Sequence, residues 1–234
     1  MNIIKRLNWD SDFFGFEIGI LTDFEEKFDL LFNDNFKLII AKCNDFDLER
    51  NNFCIKHKWS LVDVKCNYML QIKKDSFFEE NNEFIFEKND LLQLNEMYNL
   101  AFESGMYSRF KVDPNFKNNE FEKLYKEWVK KSILDQNTRT LVYVEDSIIK
   151  GFITFEITVK KIIIGLFAVN ENYRKQGLGK ILINYVVNYA IILNINSIQV
   201  STQNVNKIAC NFYEKNNFQI SSKENIYHLW RTKK

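Results

Sequence analysis

Three groups of residues in this chain have the types and spacing to do chemistry. The first is Arg174-Lys175-Gln176-Gly177-Leu178-Gly179-Lys180, which follows the apolar run from Ile162 to Val169 and precedes a long helical pattern. A strand, a turn of exposed backbone N–H groups and a helix N-terminus form a site for anionic phosphate. Two of the chain's seven glycines fall in this turn, and glycine lets backbone approach a ligand where a Cβ would clash. Arg174 and Lys180 add charge, although a glycine turn before a helix can also be purely structural. The second group is Asn206, Ala209, Cys210 and Tyr213, which share one face at helical spacing. Val205, Ile208 and Phe212 are expected on the opposite face, against the core. The third is the loop from Glu103 to Pro114, which carries Tyr107, Arg109 and Phe110 instead of plain solvating residues.

The elements around these groups read as α/β throughout. In the first third, 37–42 and 60–72 read as strands, with helices over 24–32 and 46–58. The polar stretch at 73–76 and 79–82 marks a boundary between a small N-terminal α/β domain, 1–78, and a second domain, 79–234. In the second, 84–86 reads as a strand and 90–102 and 121–134 as helices. Strands follow at 140–144, 149–159 and 162–169. The helix after the glycines is the clearest, with Leu178, Ile181, Leu182, Tyr185, Val186, Tyr189, Ala190 and Leu193 in one stripe. A strand at 197–202, a helix at 206–215 and two closing strands, 218–222 and 226–230, complete the pattern. No internal repeat is visible.

Composition sets limits. A chain of 234 residues with 46% hydrophobic content buries a substantial core. A formal charge of +1 gives no general electrostatic reason to bind nucleic acid or an acidic membrane. No apolar run reaches the ~18 residues of a membrane span, and the N-terminus has no signal-peptide core. The expectation is a soluble cytoplasmic protein. Cys43, Cys54, Cys66 and Cys210 are scattered and read as reduced thiols. Cys54 and His57 have C-x-x-H spacing without a second ligand motif, so no metal is expected.

From about residue 83 onward the chain resembles the GCN5-related N-acetyltransferases. Arg174-x-x-Gly177-x-Gly179 matches their acetyl-CoA pyrophosphate motif at the right distance from the strand ending at Val169. Asn206-x-x-Ala209-x-x-Phe212-Tyr213 with Lys215-Asn216-Asn217-Phe218 matches their last helix and turn. The resemblance implies a mixed, largely antiparallel, splayed sheet flanked by helices, with acetyl-CoA as co-substrate. Backbone from Lys175 to Lys180, including Gln176 and Leu178, would hold the pyrophosphate. The strand segment Phe167-Ala168-Val169 would meet pantetheine, through backbone groups at Phe167 and Val169. Asn206 would hydrogen-bond the cofactor amides or orient Tyr213. Tyr213 would be the general acid for the leaving thiolate; a phenol near 10 and a thiol about 8.5 make that transfer only mildly uphill. Core packing is the other reading of Tyr213. The strand from Lys161 to Val169 carries no carboxylate, so the base must come from elsewhere.

Asn8-Trp9-Asp10-Ser11-Asp12-Phe13-Phe14-Gly15, Ser108-Arg109-Phe110, Tyr125-x-x-Trp128, Ser201-Thr202-Gln203-Asn204 and Tyr227-His228-Leu229-Trp230-Arg231 resemble the TDP-fucosamine acetyltransferase branch. That branch acetylates the amine of a nucleotide-linked 4-amino-4,6-dideoxyhexose for surface glycan synthesis. It implies a proton acceptor at Asp63, a diphosphate contact at Arg109 and stacking on base or sugar by Tyr107 and Phe110. A solvated Asp63, a structural ion pair at Arg109 and core aromatics are the alternatives. A homodimer is expected by resemblance alone. Other acceptors (a peptide α-amine, a polyamine, an antibiotic) and a non-catalytic CoA-binding module are the rival functions.

Overall fold

Alternating apolar residues and the turns between them produce ten strands and seven α-helices among the residues that this computed structural model describes, 4–24, 35–72 and 83–231. The first stretch holds β1 (Ile4–Arg6), α1 (Asn8–Phe14), β2 (Ile18–Leu21), β3 (Leu38–Asn44), α2 (Leu48–Lys56) and β4 (Ser60–Gln71). The second holds β5 (Ile85–Glu87), α3 (Leu94–Ser104), α4 (Arg109–Val112), α5 (Glu120–Leu134), β6 (Thr138–Glu145), β7 (Ile148–Ile157) and β8 (Ile162–Val169). It closes with α6 (Leu178–Ile192), β9 (Ser197–Gln203), α7 (Lys207–Lys215) and β10 (Gln219–Trp230). All ten strands join one sheet in the order β1-β2-β3-β10-β4-β9-β8-β7-β6-β5. Pairing is antiparallel except between β2 and β3 and between β8 and β9, as expected of a mixed, largely antiparallel sheet.

The sheet order reveals an internal repeat that the sequence hid. β3-α2-β4 and β9-α7-β10 have the same lengths, 7, 9 and 12 residues, at one constant offset: Leu38 to Ser197, Leu48 to Lys207, Ser60 to Gln219. Each element's details repeat as well. Asp47 caps α2 by accepting from Arg50 N, and Asn206 caps α7 by accepting from Ala209 N. Lys58 and Asn217 turn the chain with φ of 59° and 64°. Trp59 N then donates to Cys54 O, and Phe218 N to Tyr213 O. β3 pairs with β10 as β9 pairs with β4, and β10 and β4 pair about the facing residues Lys65 and Glu224, with a register shift on either side. The halves therefore exchange their last strands about a pseudo-twofold axis. The repeat escaped detection because identities are few: Ile39/Ile198, Asn52/Asn211, Phe53/Phe212, Lys56/Lys215, Tyr68/Tyr227 and Leu70/Leu229.

Helices cover both faces. α6 and α7 pack over β4 and β7–β9 through Leu182, Val186, Ala190, Cys210 and Tyr213, and α2 covers β3 through Phe53 and Cys54. On the other face α3, α4 and α5 form an aromatic layer with Phe110, Phe121, Tyr125 and Phe152, against which Phe13 and Phe14 of α1 also pack. α1 thus lies on residues of the second stretch.

Several expectations change. The two closing strands are one, β10, bent by its register shifts instead of broken by a turn. β1, α1, β2 and α4 were not anticipated, because three to seven residues carry too little periodicity. The helix expected over 24–32 and the boundary at 73–82 lie almost wholly outside the described residues.

The repeated turn makes a prediction. A left-handed conformation strains any side chain with a Cβ, and asparagine tolerates it better than lysine. Lys58→Gly is expected to stabilise the protein by about 0.5–1 kcal/mol and Asn217→Gly by less, read from urea-denaturation midpoints.

Candidate active site

The glycine turn leaves a run of backbone donors unmet among the described residues. α6 starts after Gly177, whose φ of 88° is open to glycine at little cost. Ile181 is the first residue of the helix whose N–H reaches an acceptor, Gly177 O at 3.1 Å. Backbone N–H groups from Lys175 to Lys180 have no acceptor among the described residues. That leaves a run of six donors around the helix's positive end, with Lys175, Gln176 and Lys180 exposed beside it. Gly179 has a different reason from the one expected: a Cβ there would stand 3.1 Å from the Phe212 ring and 3.5 Å from Phe167, so it is small for the sake of packing. Arg174 is also partly committed, through Nε to Val169 O at 3.0 Å and through an ion pair with Glu103 at 3.1 Å.

The turn opens onto a gap in the sheet. β8 and β9 pair only from Ile162/Ile198 to Ile164/Val200, so the rest of β8 has no partner on that side. The divergence coincides with a bulge, where Gly165 and Leu166 together oppose Thr154. Thr154 Oγ1 accepts from Leu166 N at 2.8 Å, and a Cβ on Gly165 would lie 2.9 Å from that oxygen. Leu166 N points toward β7, and Asn170 N, which donates to Lys150 O at 2.9 Å, does too. Backbone direction alternates along a strand. The groups of Phe167 and Val169 therefore face the gap. Those of Ala168 face β7, and its side chain is buried under α3, so Ala168 is removed from the cofactor-facing set.

α7 carries Tyr213 on its buried side. The ring is 5% exposed and packs on Tyr68, Phe167, Phe212 and Phe218, with centroids 5.6, 6.5, 5.6 and 5.6 Å away. Burial, reinforced by Cys210, pushes the phenol well above its ordinary value, so it holds its proton at neutral pH. Tyr213 is thus a core residue that also meets Phe167, whose backbone faces the gap. Of the face of α7 expected against the core, only Phe212 packs there, on Phe167 and Tyr213. Val205 and Ile208 are 62% and 68% exposed, while Cys210 and Tyr213 are buried. Helical spacing identified the two faces but not which of them the sheet would cover. Asn206 spends its side-chain oxygen on the cap of α7.

On the other face of the sheet, Asp63 of β4 is buried and faces Arg109 of α4 and Lys65. Burial outweighs both cations and pushes its carboxyl up to about 6. Arg109 is held near Asp63, Asp10, Tyr125 and Glu224, its guanidinium 4.4 Å over the Phe110 ring and its Nε without a partner. Phe110 corrects an expectation. It is buried between Phe14, 5.5 Å away and stacked, and Phe116 and Trp128, at 5.3 and 6.1 Å, so it cannot stack on a ligand. Tyr107 is 42% exposed. Glu103, Thr154 and the neighbours of Arg109 come together only in three dimensions, and no spacing in the sequence signals them. Among the described residues no three His, Cys, Asp or Glu side chains gather to hold a metal, and no helix is long and apolar enough to cross a membrane.

Comparison with known proteins agrees with this geometry. No curated protein matches the chain. A GCN5-related N-acetyltransferase from Sphaerobacter thermophilus superposes with a TM-score of 0.58 at 13% identity over 82% of this chain, which spans 59% of that protein's length. A conserved protein of unknown function from Staphylococcus epidermidis has a TM-score of 0.61 at 14% identity, covering 93% of this chain and 85% of its own. A tandem GNAT protein of the clavulanic acid biosynthesis pathway has a TM-score of 0.59 at 9% identity, covering 94% and 77%. At these identities the likeness is one of fold. Residues 93–218, more than half of the sequence, match the acetyltransferase (GNAT) family, and the chain belongs to that family.

Proposed function

We propose that this acetyltransferase moves an acetyl group from acetyl-CoA directly to the amine of a nucleotide-linked amino-dideoxyhexose, most specifically a dTDP-4-amino-4,6-dideoxyhexose. The observation that carries the transfer chemistry is the run of free N–H groups from Lys175 to Lys180 leading into the gap between β8 and β9. Acetyl-CoA supplies an activated thioester when bound. The six N–H groups and the dipole of α6 hold its pyrophosphate, and Phe167 and Val169 offer backbone groups along the gap. An N–H there polarises the acyl carbonyl. Tyr213 keeps its proton until the thiolate leaves. Its raised pKa does not defeat the transfer, because the dry cleft that destabilises a phenolate also destabilises a thiolate.

Asp63 supplies the base that β8 lacks. At about 6 its carboxyl is ionised at neutral pH and poised to take a proton from the acceptor ammonium. Arg109 offers its guanidinium to the acceptor's anionic part, and exposed Tyr107 offers a stacking face. The acceptor's identity rests on the resemblance across the chain, with these side chains in support. A cationic acceptor, a polyamine or peptide α-amine, is the second reading. The carboxylates that would favour it, Asp10, Asp63 and Glu224, stand near Arg109 together with Lys65.

Release of CoA from acetyl-CoA, measured with amino sugars carried on TDP and UDP and with polyamines and short peptides, tests the acceptor. Turnover with a TDP-4-amino-4,6-dideoxyhexose alone is the expected result; turnover only with polyamines or peptides overturns it. Tyr213→Phe is expected to lower kcat by about 10²–10⁴-fold while acetyl-CoA affinity, measured by calorimetry, stays nearly constant. Asp63 makes a prediction of opposite sign for stability and activity. Its folded pKa lies above the unfolded value near 3.9, so the native state binds the extra proton between those values and loses stability as pH rises through 6. Asp63→Asn is therefore expected to be more stable than the parent by about 1–3 kcal/mol at pH 8, with no gain at pH 4, and far slower in transfer. Denaturant melts at the two pH values check the first half of this prediction.

A further inference from the structure

The aromatic layer beneath the acceptor site contains a carboxylate–imidazole pair that the proposed transfer does not use. Asp113 ends α4, its N–H donating to Arg109 O at 3.0 Å. Its Oδ2 meets His228 Nδ1 at 2.6 Å and accepts from Trp230 Nε1 at 2.7 Å, while Oδ1 accepts from Asn115 N at 3.0 Å and Asn115 Nδ2 at 2.9 Å. These donors hold the carboxyl well below the usual carboxylate range, so Asp113 is an anion and an acceptor only. The imidazole must therefore place its proton on Nδ1. Burial, with Arg109 nearby, keeps His228 from taking a second proton at neutral pH although Asp113 opposes them.

Nε2 of His228 is then a bare, buried acceptor with no partner, and Arg109 Nε–H is a buried donor with no partner. Arg109 is close enough to His228 for its charge to disfavour a second proton on the imidazole. Arg109 lies one turn of α4 before Asp113, and its guanidinium covers Phe110. Phe110 packs on Phe116 at 5.3 Å, and Phe116 on His228 at 6.2 Å. Buried polar groups are rarely left unmet, and here the two unmet atoms have complementary roles, one a donor and one an acceptor.

We infer that Asp113 and His228 are positioning residues for Arg109: Asp113 fixes His228 as the Nδ1–H form, and His228 Nε2 receives Arg109 Nε–H, directly or through one water, in the acceptor-bound enzyme. Turning Nε–H toward His228 directs the two terminal nitrogens of the guanidinium to the acceptor and holds the cation beside Asp63. This rests on the proposed acceptor site, but its central contact is observable without turnover.

The chain's two histidines, His57 and His228, make imidazole nitrogen spectra simple to assign. In ¹⁵N-labelled protein with a bound amine acceptor, His228 is expected as the neutral Nδ1–H tautomer at pH 7, and the Arg109 Nε–H resonance is expected to shift in Asp113→Asn and in His228→Phe. Both variants are expected to raise the acceptor KM about ten- to a hundredfold and to displace the acid limb of kcat/KM, with the acetyl-CoA KM unchanged. An Nε2–H tautomer or a protonated imidazole overturns the assignment. So does a folded Asp113→Asn variant, melting near the parent, with the acceptor KM and acid limb of the parent. If the wild-type enzyme acetylates none of the amines tried, the acceptor reading fails by itself, and the tautomer of His228 in the free protein still decides whether Asp113 fixes it as the Nδ1–H form.

Discussion

The pairing of β4 with β10 is the constraint on which the rest of this structure depends. Each is the last strand of its own half, and each lies against the strands of the other half. Lys65 and Glu224 face one another at the centre of that pairing. Because the last strands are exchanged, neither half has a complete sheet without the other, and residues 4–71 are part of the acetyltransferase sheet as much as an addition to it. The register shifts at Val62 and Ser221 are equivalent in the two strands. A bulge re-aims the residues beyond it, and beyond Val62 the strand presents Asp63 to the face that α4 covers.

The two halves have diverged where the chemistry is. The connection from β8 to β9 carries the glycine turn and the 15 residues of α6. The equivalent connection from Thr22 to Lys37 is shorter and has no glycine. The aromatic contact beside the gap remains in both: Phe24 meets Phe53 at 5.5 Å, as Phe167 meets Phe212 at 5.5 Å. In the first half the position of Tyr213 is taken by Cys54, which lies 3.9 Å from Cys43 in a closed apolar cluster. The first half thus has a buried thiol and no glycine turn where the second has a buried phenol and the glycine turn.

What the sequence disclosed follows physical range. β8, with its uninterrupted apolar run, and α6, with its long stripe, were legible to within a residue or two because their periodicity is local and long. The turn from Arg174 to Lys180 was legible as a turn before a helix because Gly177 supplies the left-handed conformation that starts α6. The faces of α7 were not, since Ile208 and Val205 are as apolar as a core stripe and only the sheet's placement shows that they are outside. Phe110 failed similarly: its surroundings come from α1 and α5, far away in the chain. The repeat was invisible because it is conserved in caps, turns and register, where Asp47 and Asn206, or Lys58 and Asn217, do the same job with different side chains.

The location of Asp63 joins these points. A carboxylate on an open sheet edge would stay near its ordinary pKa and be a weak base for an ammonium. Its rise to about 6 requires removal from water, and no single half supplies that. β4 comes from the first half, α4 from the second, and α1 of the first half closes over α4 through Phe14 against Phe110. The exchange of strands is what brings these layers over one residue. Arg109 and Lys65 keep the buried carboxylate from being driven up further, so its proton affinity is a balance between dehydration and two cations.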